Sequence, residues 1–126
     1  AAGAHGIIIP ERRAVGITPG AVRASAGALE HIKVSRVTNL NRTIERLKDL
    51  GMTIIGLDAD GDVTYMEADF TAPTVIVVGS EGSGLSRLVR EKCDHIASIP
   101  MIGQLSSLNA SVSAAIVLYE AFRQRL

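Results

Sequence analysis

Two short, unbroken runs of branched apolar residues, Ile7–Ile9 and Val75–Val78, constrain this chain more than anything else in it. Runs this short, with no polar alternation, suit strands covered on both faces, as in a parallel sheet flanked by helices. The neighbouring segments keep the same rhythm. Ile7–Ile9 stops at Pro10. His31 to Val37 alternates and is rich in branched residues, which predicts a strand, and Thr53–Leu57 and Ile96–Ile99 predict two more. Helical stretches come between. Thr18-Pro19 suits the start of a short helix through Val22 to Ser25. Asn39 opens a stronger one, with Leu40, Ile44, Leu47 and Leu50 on one stripe and Gly51 as its stop. Leu85, Leu88, Val89 and Cys93 share a helical face. Asn109 to Gln124 is a long helix, apolar nearly all round, and so either deeply buried or half of an interface between two copies. Strands alternating with helices predict an α/β fold on a parallel sheet.

The chain has 126 residues, 47% of them hydrophobic. That suits a single packed domain spanning 1–126. No apolar run approaches the ~18 residues of a membrane-spanning helix. Ala1 to His5 carries no basic leader start, so a cytoplasmic protein without a membrane partner is expected. The single cysteine, Cys93, rules out an internal disulfide and any multi-cysteine zinc site, and no metal is expected. Net charge is zero, but residues 1–50 hold eight basic and four acidic side chains, whereas 51–72 hold five acidic and no basic ones. Arg12, Arg13, Arg23, Lys33 and Arg36 could meet nucleic-acid phosphates. A solvated, mixed surface accounts for the same charges more simply. Aromatic residues are 3% of the chain, too few for a base-stacking platform. An RNA partner would be met through charge and shape.

The most informative stretch is Val78-Gly79-Ser80-Glu81-Gly82-Ser83-Gly84-Leu85-Ser86, which joins a strand to a helix. Open α/β sheets bind ligands at this place, and glycines let the backbone approach them closely. A P-loop needs a lysine after its second glycine. Gly79 and Gly84 have the right spacing, but Leu85 stands at the lysine position and Glu81 would repel a polyphosphate. The dinucleotide fingerprint fails too, because the loop reads Gly-x-x-Gly-x-Gly. A loop with a carboxylate and no cation suits hydroxyls or a positively charged ligand. S-adenosylmethionine has ribose hydroxyls, a sulfonium and no phosphate. A plain strand-to-helix turn is the other reading. The second constellation runs from Ser98-Ile99-Pro100-Met101 to Ser106-Ser107-Leu108-Asn109. Its polar residues could cap the following helix. Alternatively, backbone groups freed by the proline turn hold an adenine or carboxylate, with Ser107 and Asn109 facing the reacting centre.

These two stretches resemble the second and third signature motifs of the SpoU (TrmH) family of RNA ribose 2′-O-methyltransferases, of the SPOUT class. The likeness runs through Val77–Gly84, Ser98–Met101 and Ser107–Asn109 with Ser111-Val112, and extends to Val37–Leu40 and Arg23–Ala28. It is nearest to the bacterial members that methylate a guanosine ribose in large-subunit ribosomal RNA. Ala110, where the family usually has valine, and Ser113 depart from the pattern. The resemblance implies a parallel-sheet α/β knot, with a deep trefoil knot in its C-terminal part. It implies S-adenosyl-L-methionine as cofactor, RNA as substrate and a homodimer. By resemblance, Gly79, Ile99 and Leu108 contact the cofactor largely through backbone, with Gly82 and Met101 beside them. Glu81, Ser107 and Asn109 match positions near the reacting ribose, and Arg23 is implied to meet RNA, beside the Arg12 and Arg13 that charge alone suggests.

The family's first motif, Asn-x-Gly-x-x-x-Arg, is expected immediately ahead of Ala1, together with a first strand and a small RNA-binding domain. The resemblance therefore implies a domain truncated at its amino terminus, which binds cofactor but turns over weakly or not at all. A non-catalytic dimerisation or RNA-binding core is the alternative, and an unrelated α/β nucleotide binder is a third reading. His5, His31 and His95 stand outside both motifs and are not expected to act as bases. Cys93 lies on an apolar stripe and is expected to pack.

Overall fold

The computed structural model describes residues 1–11, 27–80 and 83–126. The expected helix from Thr18-Pro19 to Ser25 lies outside the described residues, as do Arg12, Arg13, Arg23, Glu81 and Gly82. The chain divides into two compact units, Ala1–Thr43 and Ile44–Leu126.

The first unit holds strand β1 (Gly6–Pro10), a short 3-10 turn (Ala28–Glu30) and strand β2 (Lys33–Val37). β1 and β2 pair in parallel, from Gly6 opposite Lys33 to Pro10 opposite Val37. Burial on both faces, expected for Ile7–Ile9, is not found. Ile7 and Ile8 are each more than a third exposed, in a sheet that has two strands among the described residues. Helix α1 (Leu40–Asp49) follows. The Asn39 side-chain oxygen accepts from the Arg42 N–H at 3.1 Å, which caps the helix. At the other end Gly51 donates to the Lys48 carbonyl and Met52 to the Leu47 carbonyl, at 2.9 and 3.1 Å. That pairing is a Schellman stop, with Gly51 at φ +91°. Ile44 is buried and Leu40 and Leu47 are half-buried, but Leu50 is 78% exposed. It falls off the expected stripe because it lies past the last helical residue, where the chain already turns.

The second unit contains β3 (Thr53–Leu57), β4 (Val63–Thr64), β5 (Thr74–Val78), helix α2 (Arg87–Lys92), β6 (His95–Ser98) and helix α3 (Ala110–Gln124). Its sheet has the order β4-β6-β3-β5, and every pair is parallel. The continuous burial expected of Val75–Val78 belongs instead to β3, an inner strand whose Ile54–Leu57 are buried. β5 pairs on one side only within this sheet, and Val78 stays 39% exposed. Ile55 and Leu57 of β3, Ala97 of β6, Ala68, Phe70 and Val117 of α3 make one core cluster. Burying a side chain such as Phe70 contributes roughly 1.5–3 kcal/mol.

Two details depart from the expected helices and strands. β4 was not expected, because two residues are too few to show a period. In α2, Ser86 caps by accepting from the Val89 N–H at 3.3 Å, and Val89 is buried. Leu88, placed on the same face by spacing, is exposed, because the helix begins only at Arg87 and its one covered line runs through Val89. α3 turns Val117 and Glu120 inward and leaves Val112, Tyr119 and Phe122 exposed, so it is not buried all round. Among the described residues no helix is long and apolar enough to cross a membrane.

Candidate functional site

Parallel strands end on the same side of their sheet. The chain therefore leaves β3, β5 and β6 through three neighbouring loops. They border a cleft of about 410 Å³. Leu57, Asp58 and Ala59 line it from the end of β3. Val78, Gly79, Ser80, Ser83 and Gly84 line it from the end of β5. Ala97, Ile99 and Met101 come from β6 and its exit. Ser106, Ser107, Leu108, Ala110 and Ser113 come from the bend and first turn of α3.

The glycine loop is closed on itself. Ser80 donates to the Gly84 carbonyl at 3.1 Å and Gly84 donates back to Ser80 at 2.9 Å. Gly79 has no space for a side chain. A Cβ there would stand 2.3 Å from the Gly84 carbonyl carbon and 2.6 Å from the Leu85 nitrogen. Both are backbone atoms, which cannot move aside without opening the loop. The described ends of the loop are thus tied to each other through backbone.

The bend ahead of α3 is held from the helix side. The Asn109 side-chain oxygen accepts from the Ser111 and Val112 N–H groups at 2.9 and 3.3 Å, and from the Ser111 hydroxyl. Asn109 therefore caps α3, as the first of its two readings has it. Ser107 and Leu108 line the cleft beside it.

Of the residues singled out in the sequence, Gly79, Ile99, Met101, Ser107 and Leu108 meet in this one cleft. Asn109 sits at its border as a cap. Glu81, Gly82, Arg12, Arg13 and Arg23 lie outside the described residues. Asp58 lines the cleft and was missed, because it reads in the sequence as one more polar residue of an acidic turn. Its position directly after a buried strand was the available signal. No lysine or arginine side chain is among the described lining.

Arg90 of α2 organises that acidic turn. Its Nη1 lies 3.0 Å from Asp58 Oδ2 and 3.0 Å from Asp60 Oδ1, and the guanidinium beside Asp60 holds that carboxyl below its usual value. Asp62 accepts from the Ile96 N–H at 3.0 Å. His95 opens β6, at the end of the strand away from the cleft, and none of the three histidines lines it. The Cys93 thiol is half-buried and pushed up, first by burial and then by Asp94. It packs near Gly56, in keeping with the packing role expected of it. Among the described residues no group of three or more His, Cys, Asp or Glu side chains is placed to hold a metal ion.

A parallel sheet whose strand ends frame a cleft beside a lysine-free glycine loop defines an α/β domain with that cleft as its candidate ligand site. The chain belongs to the SpoU rRNA methylase family, whose model matches residues 1–119. An uncharacterised tRNA/rRNA methyltransferase of Mycolicibacterium smegmatis is 60% identical over 121 residues, 96% of this chain and 38% of that protein. The TrmH-family protein YacO of Bacillus subtilis is 51% identical over 125 residues, 99% of this chain and 50% of that protein. This chain thus spans half the length, or less, of these relatives. Among solved structures, the SpoU methyltransferase AviRb of Streptomyces viridochromogenes, in complex with AdoMet, superposes with a TM-score of 0.90 at 38% identity. That match covers 98% of this chain and 51% of AviRb. An RNA 2′-O ribose methyltransferase superposes at 0.88 and 32% identity, covering 98% and 47% of the two chains.

Proposed function

We propose that this chain is the cofactor-binding part of an S-adenosyl-L-methionine-dependent methyltransferase that modifies a ribose 2′-hydroxyl of RNA, with ribosomal RNA as the substrate. The observation that carries the proposal is the meeting of two distant sequence motifs, at Gly79 and at Ser107-Leu108, in one cleft with no lysine or arginine among its described lining residues. The cleft fits the cofactor chemically. Leu57, Val78, Ile99 and Leu108 offer apolar walls to a base, serines offer hydroxyls, and Asp58 offers a hydrogen-bond acceptor. Gly79 lets the loop backbone close at the edge of the cleft, where a side chain would strike Gly84.

When bound, the cofactor supplies a methyl group already activated by its sulfonium. The chain's own residues have then only to hold the partners in line. Gly79, Ile99 and Leu108 hold the nucleoside through backbone groups, with Gly82 and Met101 beside them. Ser107 and Glu81 orient the ribose hydroxyl, which must share or lose its proton to attack. Asn109, with its oxygen committed to the first turn of α3, fixes the bend that carries Ser107. Arg12, Arg13 and Arg23 meet phosphates. The 126 residues contain no Asn-x-Gly-x-x-x-Arg run, so this chain alone binds the cofactor and transfers little or no methyl.

Calorimetry with S-adenosylhomocysteine tests the binding half, and a properly folded chain that takes up none of it refutes the reading. Methyl transfer is tested with a chain carrying an Asn-x-Gly-x-x-x-Arg segment ahead of Ala1. Ribosomal RNA should accept methyl, and RNA with 2′-deoxyribose at the accepting nucleotide should not. A second reading, a non-catalytic dimerisation or RNA-binding core, is favoured by the exposed apolar side of α3. Transfer by the extended chain decides against it. In either reading α3 pairs with a second copy through Val112, Tyr119 and Phe122.

A further inference from the structure

The geometry points to Asp58 as the residue that recognises the cofactor's ribose, by accepting hydrogen bonds from its two neighbouring hydroxyls; the inference rests on the cofactor reading above. Asp58 is the one charged residue in the described lining of the cleft. It follows directly on β3, and its own N–H donates to the Ala97 carbonyl of β6 at 3.1 Å. The residue is thus anchored between two core strands. Its side chain is equally constrained. Oδ1 accepts from the Ala59 N–H at 2.7 Å and Oδ2 accepts from Arg90 at 3.0 Å. Arg90 is itself held by the Asp60 carboxylate at 3.0 Å and the Asp60 carbonyl at 3.3 Å.

A carboxylate has about four acceptor sites. Among the described residues each oxygen accepts one bond from the protein, from Ala59 and from Arg90, with the Asp60 carboxylate beside them. That leaves acceptor capacity on both oxygens, which matches the two donors of a vicinal diol. The carboxylate still reaches solvent, with 23% of its side chain exposed. It also abuts the glycine loop, since a Cβ on Gly84 would stand 3.2 Å from Oδ2. The Arg90 cation cancels much of the carboxylate's charge at close range. That favours hydrogen bonding to hydroxyls over attraction of the sulfonium.

Isothermal titration on the 126-residue chain separates the possibilities. Wild type should bind S-adenosylhomocysteine, and analogues lacking one ribose hydroxyl should bind about tenfold or more weakly, the loss of one hydrogen bond to a charged group. Asp58→Asn should weaken S-adenosylhomocysteine and S-adenosylmethionine alike and should no longer distinguish the deoxy analogues. If wild type binds the analogues as tightly as their parent, the assignment is overturned without recourse to any variant. It is overturned too if Asp58→Asn loses only the sulfonium form, which would make Asp58 a charge partner. If wild type binds no S-adenosylhomocysteine at all, the cofactor reading itself fails.

Discussion

Gly79 and Gly56 show how single residues set limits on this site. At Gly79 an added methyl would meet the Gly84 backbone at 2.3 Å, so Gly79→Ala must open the Ser80–Gly84 pair. Affinity for S-adenosylhomocysteine should fall at least about tenfold, equivalent to one lost backbone hydrogen bond of about 1.4 kcal/mol, while circular dichroism stays native. Gly56, in β3, differs in kind. A Cβ there would meet side-chain ends, Leu85 Cδ1 at 2.7 Å and Cys93 Sγ at 2.8 Å. Those ends can shift at a cost, so Gly56→Ala should destabilise by about 1–3 kcal/mol, read as a lower urea midpoint. The need for Gly79 could be suspected from the sequence, because glycine-rich loops after apolar strands have few other causes. The partner it would strike could not be known, since that contact exists only once the loop closes.

The end of α3 is fastened to the connection that leads into β5. Gln124 donates to the Ala68 carbonyl at 2.9 Å and accepts from the Phe70 N–H at 2.8 Å. Arg125 donates to the Phe70 and Ala72 carbonyls, both at 2.7 Å. Gln124→Ala would leave the Phe70 N–H without its acceptor, and about 1–3 kcal/mol of stability should be lost in thermal or urea unfolding. Glu120 sits between these groups. Hydrogen bonds from Arg123 and then Gln124 lower its carboxyl from 4.5 to about 2. Its folded value is depressed, so its stabilising effect is present above pH 4.5 and is lost as pH falls towards 2. Unfolding temperature should therefore drop across that window in wild type and drop less in Glu120→Gln. Equal acid slopes for the two proteins would remove Glu120 from the account. The helix was evident from residue pattern, and Asn109 as its cap was one of two readings left open there. The fastening was not, because Gln124 and Phe70 are far apart in the chain and glutamine carries no pattern of its own.

For the molecule as a whole, the exposed side of α3 bears on the proposed pairing with a second copy. Val112, Tyr119 and Phe122 stand in water, the two rings in edge-to-face contact with centroids 6.2 Å apart. Ile102 and Leu105, in the bend ahead of the helix, are exposed as well. In the proposed pairing with a second copy, this exposed apolar surface is the face that docks. Sedimentation should give a dimer for wild type, and Tyr119→Glu with Phe122→Glu should give a folded monomer. A wild-type chain that sediments as a monomer at all concentrations would remove the pairing from the proposal.

Local chemistry was enough to establish that this chain forms parallel strands and helices in alternation, and that its glycine loop fits neither the P-loop nor the dinucleotide fingerprint. Strand-forming runs, caps and turn residues act over a few neighbours, so they can be read in order along the chain. Which strand lies inside the sheet was decided only by the tertiary structure, and β3 took the place that the apolar run of β5 suggested. The same holds for Asp58. Its acidity is local, but its place in the cleft depends on Arg90, Ala97 and Gly84 arriving from three other segments, and no local rule encodes that convergence.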